Sequence, residues 1–364
     1  MNQTNLSGTA GSTRLLHIDG IKGLLCYLIM IGHFWNICRW CSPDDPIVNR
    51  FTIFVNNSIL GETLFSATFW MYAFLVISGY LLSGTKVRTA KELIIKVFNR
   101  YFRFYILILG ACIFIFIISK TIGFHTADTM DFFTNNWFQS YYRGEFGLRS
   151  LITEPIRGVF KGGCGYNDPF WVMKDILLSS LIIYFCKYMD KFTDKLHWGF
   201  LFFAVMIDRN VIMACLAGYI IGIYKDKVRC RVLAVILIVF LILRYYGIMP
   251  AVFDEYMLFT VFYCFVVRLV ERLDFLKKFF SSKLFQIMGT LSFGVYSFHW
   301  PVICSIGSLV LARSLGANIN GNISYAIAYI VSVFATTILA FIYKLGVESV
   351  ADKLRIPIRE KIKG

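Results

Sequence analysis

The chain has 364 residues, of which 57% are hydrophobic and only 16% charged, with a formal charge of +15. Soluble domains carry roughly 25% charged residues, so this composition excludes an ordinary soluble protein and points to a membrane protein. The positive charge invites a nucleic-acid reading, but the Lys and Arg residues gather at alternate ends of apolar stretches. That pattern encodes membrane orientation and excludes a nucleic-acid partner.

In chain order, the first 13 residues are rich in Ser, Thr, Gly and Asn and lack a basic start followed by an apolar core. They read as a disordered tail with no visible cleaved signal peptide. Apolar stretches of the length a helix needs to cross roughly 30 Å of hydrocarbon then recur at about 20–37, 64–83, 101–120, 169–187, 197–208, 210–224, 232–249, 251–270, 284–311 and 323–345. The fifth and sixth are short and suit one broken or hairpin element. The expected fold is all-α, a polytopic integral membrane protein with about ten transmembrane helices. Residues 14–347 read as one transmembrane domain and 348–364 as a basic cytoplasmic tail. With both termini in the cytoplasm, the basic clusters after spans two, six, eight and ten all face one side, whereas the opposite connections 38–63 and 245–250 hold few basic residues.

Span one contains HIDGIKGLLCYLIMIGHFWN, an apolar helix with Asp19, Lys22 and His33 inside it. Ionisable groups in hydrocarbon are costly, so they should line a polar interior. The 11 steps from Lys22 to His33 bring both side chains to one face, about 16 Å apart along the axis, with Asp19 beside Lys22. A neutral imidazole can take a proton from a hydroxyl and return it; as a bland alternative, His33 only bridges helices. Lys22 either holds phosphate as a point charge or snorkels to headgroups.

Cys38 and Cys41 form one CxxC after span one. A zinc site can be drawn from them with His125 and Cys164, as can a disulfide, but a single CxxC is weak evidence and no metal is expected. Cys26, Cys112, Cys186, Cys215, Cys264 and Cys304 lie in apolar stretches and read as small buried hydrophobes.

Span two ends FLVISGYLL, where Ser78 and Gly79 allow close helix packing. NRYFRFY follows, with Arg100 and Arg103 one turn apart. Two guanidinium forks on one face suit phosphate oxygens as well as they suit orientation signals. The connection 121–168 is expected outside; its Trp137, Tyr141, Tyr142 and Tyr166 fit either an interfacial aromatic belt or a surface that stacks on sugars. Span four opens NDPFWVMKDI, placing Asn167, Trp171 and Asp175 at i, i+4 and i+8 of an expected helix. Asp175 either pairs with Lys174 or a neighbouring helix, or belongs to a site. Span nine contains YSFHWP, with His299 at a depth similar to His33 and Pro301 expected to bend the helix.

Together these stretches resemble the membrane-bound acyltransferase 3 family, whose members move acyl groups, usually acetyl, from cytoplasmic coenzyme A to extracytoplasmic acceptors, most often sugars. The resemblance lies in Lys22, ten positions and His33 within HIDGIKG; in Ser78-Gly79-Tyr80; in the RxxR of Arg100 and Arg103; in FWVMKD; and in the Tyr-x-x-His of Tyr296 and His299. Matches fall between residues 14 and about 303. The opening base is Lys where Arg is commoner, which loses bidentate phosphate geometry.

The resemblance implies a multi-pass enzyme of a bacterial cytoplasmic membrane that uses acetyl-CoA as donor. Lys22, Arg100 and Arg103 would hold the coenzyme A phosphates. His33 would be general base or acyl carrier, with Asp19 and His299 supporting it, and Asn167, Trp171, Asp175 and Tyr296 would lie near a saccharide or glycolipid acceptor. Membrane lipid is the expected surroundings. A transporter or flippase of lipid-linked saccharides is the competing class, because intramembrane charges also mark transport paths. Against it, no pair of Gly/Pro-broken helices occupies matching halves. A non-catalytic scaffold or sensor of the same fold is a third reading.

Overall fold

The computed structural model describes residues 15–144, 146–246, 248 and 254–360. The expected N-terminal tail, Glu145, residues 247, 249 and 250 of the 245–250 connection, Lys361 and Lys363 lie outside the described residues. Every regular element among the described residues is helical. In chain order they are α1 (Leu16–Arg39), α2 (Arg50–Asn57), α3 (Ile59–Leu64), α4 (Ala67–Ser83), α5 (Ala90–Thr121), α6 (Asn136–Gln139), α7 (Leu148–Lys161), α8 (Met173–Met189), α9 (Leu196–Met206), α10 (Asn210–Ile223), α11 (Cys230–Tyr245), α12 (Glu255–Arg272), α13 (Asp274–Phe280), α14 (Lys283–Val302), α15 (Ser308–Gly316), α16 (Gly321–Tyr343) and α17 (Ser349–Glu360). A 3-10 turn, Asp168–Val172, leads into α8, and π-helical turns join α14 to α15 and α16 to α17.

Helix therefore occupies each expected span. Among the described residues five continuous stretches are long and apolar enough to cross a membrane: Leu16–Arg39, Ala90–Thr121, Asp168–Met189, Lys283–Gly316 and Gly321–Leu354. The 11-residue α9 and 14-residue α10 are too short to cross fully; they form a hairpin whose turn holds Asp208 at φ 55°. The exterior has the character of lipid as solvent. On α16, Ile323, Ile330, Phe334, Ile338 and Phe341 are exposed, while Ser324, Ser332 and Thr336 are buried. That inversion, apolar outward and small polar inward, is the signature of helices packed in a bilayer. The protein is a multi-pass membrane protein.

At the centre α1 packs on α14 and α4, α14 on α16, and α4 on α10 and α12. Small residues set these approaches. A Cβ on Gly23 would collide with the backbone of Met288 and Gly289, and one on Gly79 with the backbone of Cys215. The second contact explains the glycine of the SGY stretch, since only hydrogen fits there.

The connection after α5 differs from a plain outer loop. α7 packs against α5 and α8. Its first turn sits near Tyr166, whose hydroxyl donates to the Gly147 carbonyl at 3.1 Å, and Cys164 lies beside Cys112 of α5 with sulfurs 3.8 Å apart. At its other end the ring of Phe160 is 5.2 Å from that of Tyr101. Tyr101 precedes Cys112 by 11 residues, about 16 Å of helix. The helix α7 thus descends alongside α5 and the segment 162–166 climbs back. Leu148, Ile152, Ile156 and Phe160 are exposed at four-residue spacing on one side; on another, Glu154, Arg157 and Lys161 line a cavity of about 370 Å³ with Gly162–Gly165 and Asp168. An adjoining cavity of about 390 Å³ shares Glu154 and Gly165 and is bounded by Tyr142, Arg143, Phe146 and Tyr166. The aromatic residues of this connection turn inward and do not form a belt: Tyr142 stacks on Phe124 at 4.0 Å, Tyr166 is buried, and Trp137 packs on Trp300 at 5.4 Å.

Candidate active site

The close approach of α1 and α14 brings His33 and His299 together, with ring centroids 5.0 Å apart. Trp300 lies 5.4 Å from His33 on the same side. His299 is fully buried, and its Nδ1 donates to the Tyr296 carbonyl at 2.8 Å. A carbonyl only accepts, so the proton sits on Nδ1 and Nε2 keeps its lone pair. That Nε2, the Nδ1 of His33 and the Nε1 of Trp300 are buried without a protein hydrogen-bond partner. Buried polar atoms are nearly always satisfied, so three such atoms gathered around His33 set this place apart.

Pro301 gives the site a further feature. Lacking an N–H, proline cannot bond to the carbonyl four residues back, which frees the carbonyl of Ser297. The Nδ2 of Asn167 donates to it at 2.8 Å. Asn167 is itself fully buried, with Oδ1 unpartnered, as is the Ser297 hydroxyl. Two residues after Pro301 the helix winds as a π-helical turn, Ile303–Gly307.

Asn167, Trp171 and Asp175 do not share a helix face, which corrects the expected i, i+4, i+8 spacing. Residues 168–172 are wound as a 3-10 turn, so four residues sweep about 120° past a full turn rather than about 40°. Trp171 is consequently 41% exposed, and Phe170 takes the inward position against Tyr296. Asp175 is half-buried, with Lys174 and Arg209 as neighbouring cations. The Tyr296 hydroxyl donates to the Pro169 carbonyl, fixing the turn to α14, while its ring lies 5.7 Å from that of His299.

At the other end of α1, Lys22 Nζ pairs with Asp19 at 2.8 Å, both partly exposed. Nearby, His17 bonds to Glu271 at 2.7 Å. Arg100 and Arg103 have different partners. The Arg100 Nε donates to Ser180 of α8 at 3.2 Å and its guanidinium lies over Phe104, whereas Arg103 reaches toward Asp352 of α17 at 3.8 Å. The four groups of the drawn zinc site are also apart. The Cys38 thiol donates to the Trp35 carbonyl, Cys41 to that of Ile37, and His125 Nδ1 bonds to Asp128, while Cys164 lies by Cys112. Among the described residues no group of three or more His, Cys, Asp or Glu is placed to hold a metal.

The outer connection closes over the imidazoles. The Asn135 Nδ2 donates to the carbonyls of Asn36 and Ile37, which are among the last four of α1 and have no partner within the helix. This clamp holds Trp137 and Tyr141 against Trp300, 5.4 and 4.9 Å away, and the Tyr141 hydroxyl donates to Asp168 at 3.4 Å. Burial, then the Asp168 charge, pushes the Tyr141 phenol well above its usual value, so it remains a donor. Asp168, Tyr141 and Trp300 thus link the cavity beside α7 to His33. Trp300, Asp168 and Ser297 were not singled out from sequence, and Tyr141 only as one aromatic of the outer connection; the proline after His299 was the one legible signal for the Ser297 carbonyl.

The sequence profile of the acyltransferase 3 family, described as an acyltransferase domain, matches residues 15–344. The chain belongs to the acyltransferase 3 family. Neither a search of curated proteins nor one of solved structures returned a match. For this acyltransferase the family and the multi-pass architecture give a membrane acyl-transfer activity with an acyl-CoA-type donor.

Proposed function

We propose that the acyltransferase moves acetyl from cytoplasmic acetyl-CoA to a hydroxyl of an extracytoplasmic saccharide or lipid-linked glycan, with His33 at the centre of the transfer. The observation that carries this reading is the His33–His299 pair, 5.0 Å apart, with ring nitrogens on both residues that no protein group satisfies. His33 takes the acceptor proton as its oxygen attacks the thioester carbonyl. The C–S bond breaks and the coenzyme A thiolate receives the proton from His33. A route in which His33 carries the acyl group uses the same atoms in two steps. His299, locked by its own backbone bond, presents Nε2 to orient His33 or the acceptor.

Lys22 with Asp19, and Arg100 and Arg103 by separate contacts, bind the donor phosphates at the cytoplasmic end. The rise from Lys22 to His33, about 16 Å, is of the order of an extended pantetheine arm. Asn167 and Tyr296 act by holding the 3-10 turn on α14, and Asp175 supports the acceptor side from α8. Trp171, exposed, contributes only if the acceptor extends to it. Residues 14–347 are the catalytic domain and 348–364 its basic cytoplasmic tail, in a bacterial cytoplasmic membrane.

The test is labelled acetyl-CoA supplied to membranes containing the protein. His33→Ala should abolish acetylated acceptor while membrane abundance stays unchanged; an active, folded variant overturns the assignment. Solute movement without acetylation would favour the transporter class.

A further inference from the structure

Cys112 and Cys164 are 52 residues apart in sequence, both buried, with sulfurs 3.8 Å from each other. Cys164 also lines the 370 Å³ cavity beside α7, together with Arg157 and Lys161. Glu154 lines the same cavity and pairs with Arg157 at 3.0 Å, so its charge is offset there, and the contact with Cys112 pulls the Cys164 thiol below its usual value. The geometry points to a redox modification site: Cys112 and Cys164 form a disulfide by exchange with a small disulfide oxidant that enters this cavity.

The Cys164 thiolate attacks one sulfur of the oxidant and releases its first thiolate. Cys112 then attacks Cys164 in the mixed disulfide, releases the second, and gives up its proton to it. The protein loses two electrons and the oxidant gains them. The new bond ties the segment after α7 to α5 three residues before Asn167, and so secures the Asn167 contact with α14.

The test uses the purified full-length protein in detergent, with oxidised glutathione as probe. After oxidation, remaining thiols are alkylated under denaturing conditions and peptides are analysed by mass spectrometry. A Cys112–Cys164 linked peptide is expected, reversible by dithiothreitol, with the count of alkylated thiols falling by two from the ten cysteines of the chain. Full alkylation of both residues, or a Cys164 that stops at the glutathione adduct, overturns the proposal. The readout is chemical and independent of acyl transfer, so its failure leaves the proposed reaction standing, and the converse.

Discussion

A proline missing its N–H leaves the carbonyl of Ser297 free, and an asparagine 130 positions before that serine donates to it. The physical claim is that Asn167 replaces the bond Pro301 removed, and it predicts coupling between the two. Asn167→Ala should destabilise the protein by about 1–3 kcal/mol, because a buried carbonyl is left bare. Within a Pro301→Ala background, where a backbone N–H returns to Ser297, the same change should cost about 1 kcal/mol less. Thermal unfolding in detergent of the four proteins reads this directly; equal costs in both backgrounds would remove the explanation. At this scale ionisable residues were legible. Asp19, Lys22, His33 and His299 stand out because charge and imidazole are rare in apolar helices. Trp300 was not, since one aromatic among a 17% aromatic composition carries no signal until the chain is folded over His33; Tyr141 was legible only as one aromatic of the outer connection, and Asp168 only as an acid ahead of span four.

Among elements, periodicity located helices better than it located faces. The helical face through Asn167, Trp171 and Asp175 assumed 3.6 residues per turn, and the 3-10 winding of 168–172 rotated Trp171 away from Asn167. The RxxR pair shows the same limit, since spacing fixes neighbours on one helix but not which other helix each side chain meets. Arg100, fastened to Ser180 and Phe104, should matter more for donor binding than Arg103. Arg100→Ala is expected to raise KM for acetyl-CoA about tenfold, the 1.4 kcal/mol scale of a charge-assisted bond, with Arg103→Ala raising it less; the reverse order in steady-state assays would reassign them. Small residues were read correctly as packing seams. Gly79→Leu places a side chain where even a Cβ meets Cys215 backbone, so monodisperse protein should be lost in size-exclusion chromatography.

For the whole molecule, the basic clusters predict that both termini and the α4–α5 connection share the cytoplasmic side. A thiol-specific impermeant reagent tests this on a cysteine-free background: Cys placed at Lys86 should be shielded in intact cells, and Cys placed at Asp44 labelled; the opposite pattern inverts the orientation. Helix positions were legible because hydrocarbon thickness sets a length that composition reveals. The return of the 121–168 connection was not, because α7 mixes Arg149, Glu154, Arg157 and Lys161 with apolar residues and resembles a surface segment. Its position beside α5 has a consequence for biogenesis. Each such charge costs about 2.5–3.5 kcal/mol to insert at mid-membrane as part of a lone helix, so α7 cannot enter lipid by itself during synthesis. Its place against α5 and α8 is therefore filled only once both of those helices have been made, so this wall of the cavity closes later than its position in the chain suggests.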